Sequence, residues 1–161
     1  MNAQQLWDAY KGKSGLIHDN YTAWAFGGDP DELAELVLTG KKSATCSLKY
    51  IYDLTGEPIP ALGEYSVILN SRKEAVCIIR TTCLRLIPFC RVDAALAARE
   101  GEGDLSLDYW QRVHRDFFEK ELAPYGEQFD EGMELIFEEF ELVYDCLLYT
   151  SPSPRDRQKS R

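Results

Sequence analysis

The chain has 161 residues, 45% of them hydrophobic and 28% charged, with a formal net charge of −9. That length and balance are ordinary for one globular domain with a real core. No apolar run approaches the ~20 residues of a membrane span, and an acidic field this strong opposes tight non-specific binding of long DNA or RNA, whose affinity comes mainly from phosphate neutralisation.

The first ten residues are polar and amphipathic with no apolar h-region, so no secretory signal is expected and a cytoplasmic location is the default. Ala3 to Lys11 is predicted as a short helix with Leu6, Trp7 and Tyr10 on one side, broken over Gly12 to Gly15. Tyr21 to Phe26 is aromatic-rich and ends at Gly27-Gly28. Asp29 then caps a helix, with Pro30 at its first position and Glu32 at capping-box spacing. Leu33, Leu36 and Val37 form its buried stripe and Gly40 stops it.

After Thr45 a short helix or loop is expected through Leu48, Tyr50 and Ile51. Glu64 to Leu69 alternates and reads as a strand, paired in a hairpin with a second over Ala75 to Thr81. Thr82 to Pro88 reads as a third strand. Arg91 to Glu100 is predicted as a helix ended by Gly101 and Gly103. Ser106 caps a longer helix to about Leu122, with Leu107, Trp110, Val113, His114, Phe117 and Phe118 on its apolar side. Leu135 to Tyr144 reads as a long final strand. This is α+β: a small mixed barrel with helices, not a βαβ parallel sheet.

Residues 146 to 161 break the pattern. Their Pro-, Ser- and Arg-rich run looks like a translated sequencing adapter, and it is excluded from the fold, leaving a domain over 1 to 145. The tail holds Arg155, Arg157, Lys159 and Arg161 against Asp156, so the domain itself carries −12 rather than −9. Cys46, Cys77, Cys83 and Cys90 show no C-x-x-C spacing. They read as reduced core cysteines, and neither a metal site nor a cofactor is expected.

The stretch Gly40 to Ser47 concentrates reactive groups. Lys42 and Thr45 are three apart, so a bend or helical turn would face both into one pocket, whereas an extended segment would separate them. A lysine desolvated by burial can act as a base, and a neighbouring threonine hydroxyl can be a nucleophile. A solvated basic turn is the plainer alternative. Glu100 ends its helix, where the dipole disfavours negative charge. Packed inward beside Leu96, its pKa would rise toward that of a general acid or base. A solvated acidic loop is the alternative there. His114, between Trp110 and Phe118, reads as a hydrogen-bonded core histidine or a site residue. Trp24 and Phe26 could stack a nucleobase or simply fill the core.

Taken together, Trp24-Ala25-Phe26-Gly27, the Gly40 to Thr45 block, Pro60 to Gly63, Glu100-Gly101-Glu102-Gly103-Asp104, and Trp110 with His114, Phe117 and Phe118 resemble the ASCH domain family. That resemblance implies a PUA-like pseudo-barrel of about five or six strands flanked by helices, with a cleft for RNA or a modified nucleoside. It also implies, by motif, a catalytic Lys42, Thr45 and Glu100 in the branch that hydrolyses N4-acetylcytidine. Lys41, Ser43, Trp24, Phe26 and His114 are then candidate substrate-binding residues. The alternative is an RNA-binding module, or a metal-assisted ribonuclease as in another branch. The expected partner is a small nucleoside or RNA, with no membrane.

Overall fold

In a computed structural model, residues 1–147 are described, so all but the first two residues of the tail lie outside the described region. The elements run α1 (Ala3–Ser14), β1 (Thr22–Ala25), α2 (Pro30–Leu38), β2 (Ala44–Leu48), α3 (Lys49–Thr55), β3 (Tyr65–Leu69), β4 (Ala75–Pro88), α4 (Ala94–Arg99), α5 (Leu107–Leu122) and β5 (Glu134–Asp145). The five strands form one sheet in the order β1-β3-β4-β5-β2, curled into a half-barrel. The β1–β3 pair is parallel and the other pairs are antiparallel. Among the described residues no helix is long and apolar enough to cross a membrane.

Helix ends follow the capping chemistry. Asp29 and Ser106 each accept a backbone N–H from the third residue of their helix, as short polar side chains do at that position. Helix α1 continues through Gly12 and ends only at Gly15, whose φ of 71° closes the last turn. The apolar faces of α4 and α5 pack with β2 and β5 around Phe89, Phe118, Leu135 and Phe137. Helix α2 covers Phe26, Ile68 and Phe140, while α1 buries Leu6 and Trp7 against Val67 and Ile78.

Three predicted elements differ. The second and third strands are one 14-residue strand, β4, whose register with β5 shifts between Thr81 and Cys83. Thr82 sits in that irregularity, and an extra residue bends a strand without ending it. The predicted helix from Arg91 begins only at Ala94, because Asp93 caps it and Phe89–Arg91 form a separate short turn. The expected helix or loop after Thr45 is a strand first, β2, and a helix only from Lys49. Its partner is Leu135–Glu139, some ninety residues away; local sequence carries no trace of that pairing.

Candidate active site

Two loops meet at the end of the sheet. The Ser43 N–H donates to the Arg99 carbonyl at 2.8 Å, and the Phe140 N–H donates to the Ser43 carbonyl at 3.0 Å. Gly101, at φ 73°, lies against the Lys41 carbonyl so closely that a Cβ would collide with it. These backbone contacts bring Lys42 and Glu100 together although 58 residues separate them.

Both side chains are buried, at 3% and 1% relative exposure. Lys42 Nζ lies 3.3 Å from Glu100 Oε1, 3.3 Å from Glu102 Oε2 and 3.4 Å from the Glu100 carbonyl. It also stands 5.2 Å above the Phe26 ring, a cation–π contact. Lys42 is thus a doubly paired cation and not an isolated buried amine.

The other oxygen of Glu100, Oε2, has its own partners. The Trp110 indole donates to it, Cys46 Sγ donates at 3.3 Å, and His114 Nε2 lies 3.3 Å away. His114 Nδ1 is 2.9 Å from the Trp110 carbonyl. Both ring nitrogens therefore face acceptors, an arrangement that favours the doubly protonated ring. Burial opposes that charge, but the Glu100 carboxylate outweighs it and raises the His114 pKa. Burial alone would raise the pKa of Glu100. The charges of Lys42 and His114, with hydrogen bonds from His114 and Trp110, win and lower it. The expectation of a raised, acid-like Glu100 is therefore reversed: its partners, and not the helix dipole, dominate. Cys46 is pushed well up by burial and by Glu100, so its thiol stays protonated.

This cluster forms one wall of a cavity of about 700 Å³, within the range of roughly 300–1,000 Å³ typical of small-molecule sites. Thr45 also lines it, from β2. The strand alternation that turns Cys46 toward Glu100 turns Thr45 and Ser47 to the opposite face. Thr45 pairs across the ladder with Glu138, and opposite residues in an antiparallel pair share a face. Glu138 is 6% exposed, lines the same cavity and accepts from Thr81 Oγ1 at 2.5 Å. Burial raises its pKa, the Thr81 hydrogen bond opposes this, and Glu64 adds to the rise.

Of the other candidates, Trp24 and Phe26 line the cavity as an edge-to-face pair with centroids 5.0 Å apart. Phe26 is buried beneath Lys42, which leaves Trp24 as the more open ring. His114 lines the cavity, whereas Lys41 and Ser43 are exposed and lie outside its lining. The Lys41 and Lys42 N–H groups both donate to the Leu36 carbonyl in the turn that ends α2, and only the Lys42 side chain is buried there. Sequence reasoning passed over Cys46, Glu102, Trp110 and Glu138. The i, i+4 spacing of Trp110 and His114 was a usable signal, whereas Glu138 looked like one of several solvent-facing glutamates.

The ASCH domain family model matches residues 22–144. The chain belongs to the ASCH domain family. An ASCH domain from Lactobacillus crispatus JV V101 is 35% identical, with a TM-score of 0.83 over 88% of this chain and 93% of that one. Protein EF3133 from Enterococcus faecalis V583 is 34% identical, with a TM-score of 0.85 over 94% of this chain and 93% of that one. None of the curated proteins matches. ASCH domains are PUA-like, and the family includes RNA-binding members.

Proposed function

We propose that this ASCH protein is a cytoplasmic amidohydrolase that removes the acyl group from an N-acylated nucleoside, with N4-acetylcytidine as the model substrate. The working unit is residues 1–145. One observation carries the reading: Lys42 and Thr45 from one segment and Glu100 from another line a single cavity of about 700 Å³.

Thr45 Oγ attacks the acetyl carbonyl. Its proton passes to Glu138, the carboxylate across the ladder whose raised pKa makes it a better base. Lys42, elsewhere in the lining of the same cavity, supplies the positive charge that favours the oxyanion. Glu100 and Glu102 hold Lys42 in place, so Glu100 is a positioning residue here and not the proton shuttle. Collapse breaks the amide C–N bond, and the amine leaves with the proton from Glu138. Water, deprotonated by Glu138, then attacks the acetyl-threonine ester; the ester C–O bond breaks, Glu138 returns the proton to Thr45 Oγ, and acetate is released. Trp24 stacks on the base.

The lining favours an uncharged ligand. Asp29, Glu32, Glu57, Glu64, Glu121 and Glu138 border the cavity in addition to Glu100 and Glu102, against Lys42 alone among lysines and arginines of the described residues. A phosphate would meet like charge on most sides, so a free nucleoside fits better than a nucleotide or RNA. Incubation with N4-acetylcytidine should release cytidine, the 5′-monophosphate should react far more slowly, and Thr45→Ala should be inactive. No release from the wild type, or equal release from Thr45→Ala, would refute the reading.

A further inference from the structure

The amidohydrolase reading uses Lys42, Thr45, Glu138 and the Lys42 side of Glu100. It leaves unexplained why Cys46 and His114 converge on the other side. Cys46 Sγ, Glu100 Oε2 and His114 Nε2 all lie within 4.8 Å of one another. Two of those separations, Cys46 to Glu100 and His114 to Glu100, are 3.3 Å. Around a tetrahedral zinc ion with bonds of about 2.0 Å to nitrogen or oxygen and 2.3 Å to sulfur, neighbouring ligand atoms stand roughly 3.3–3.5 Å apart.

We propose that Cys46, Glu100 and His114 form a binding site for a zinc-type divalent transition-metal ion, with its remaining position open to the cavity. The proposal is independent of the amidohydrolase reading, which requires no metal.

The supporting shell is already built. Trp110 orients two of the three ligands: its indole N–H donates to Glu100 Oε2 and its carbonyl accepts from His114 Nδ1. A metal-binding histidine characteristically gives its second N–H to such a carbonyl, and a ligating carboxylate is itself hydrogen-bonded. The Trp110 ring stacks on His114 at a centroid distance of 4.4 Å and is backed by Phe89 at 5.2 Å, so the imidazole cannot swing away. Lys42 is paired with Oε1 and with Glu102, so its charge is balanced on the far side of the carboxylate. One sulfur, one nitrogen and one oxygen select a borderline ion of the zinc or cobalt kind over magnesium or calcium, which prefer oxygen alone. All three ligands line the cavity, which is how a site keeps a position for water or substrate.

Cobalt(II), which reports on its ligands by colour, should bind the chelator-treated full chain with saturation at one ion per chain. It should show a near-ultraviolet thiolate-to-cobalt band and intense visible bands of four-coordinate cobalt, both displaced by zinc. Cys46→Ser should lose the thiolate band, His114→Gln should lose the four-coordinate spectrum, and Cys90→Ser should retain both. X-ray absorption of the zinc-loaded wild type, which needs no variant to fold, should show a single sulfur in a shell otherwise of nitrogen and oxygen. Absence of a thiolate band in the wild type, its survival in Cys46→Ser, or a zinc shell with no sulfur or several would overturn the site. Cytidine release is measured without added metal, so either reading can fail alone.

Discussion

Glu138 is the residue whose chemistry the fold changes most usefully. A carboxyl in the middle of a strand usually faces water, but this one is 6% exposed and held by Thr81. Its pKa is raised above the ordinary 4.5 mainly by burial. A carboxyl that binds its proton more tightly when folded stabilises the fold at pH below its unfolded pKa. That contribution is lost as pH rises through the folded value. Glu138→Gln keeps an acceptor for Thr81 and removes the loss. Urea titrations at about pH 4 and about pH 8 should therefore show the variant gaining stability relative to the wild type as pH rises. The same variant should be inactive in deacetylation. A gain confined to the acidic side would contradict the assigned direction of the shift. Among the candidate site residues, Lys42, Thr45 and Glu100 were legible because glycines, a lysine pair and an acidic run flag those segments. Their roles were not, because a carboxylate's pKa depends on partners such as Trp110 and His114 that only the fold brings to it.

At the scale of elements, the site depends on the docking of the Glu100 loop against the Lys41–Lys42 turn. Gly101 permits it in two ways, by its φ of 73° and by lacking a Cβ that would strike the Lys41 carbonyl. Gly101→Ala should cost about 1–3 kcal/mol from backbone strain alone, more with the collision, and activity should fall further than stability because Lys42 shifts. A thermal melt beside a cytidine-release assay tests this, and an unchanged melt would show that the close approach does not matter. Helices α2 and α5 were readable from caps and periodicity, both local signals. Strand β2 was not, because its pairing with β5 is set by distant partners. That one misread element decides the geometry: in the strand Thr45 faces Glu138, whereas in a helical turn it would have faced Lys42.

Across the whole molecule, a curled five-stranded sheet closed by helices encloses a cavity whose walls are acidic and partly apolar. The sequence already indicated an acidic domain unsuited to long polyanions, and the cavity concentrates that property where a ligand would sit. The mixed α+β architecture was legible from alternating strands, helix caps and the family motifs. The parallel β1–β3 pair was not, because the short aromatic stretch before Gly27 carries no sign of its neighbour. The most direct measurement of the account is an acid quench of the protein during turnover of N4-acetylcytidine, followed by peptide mass spectrometry. The account predicts a transient acetyl group on the peptide bearing Thr45, with none on Thr45→Ala. Cytidine formed at the wild-type rate by Thr45→Ala would contradict it.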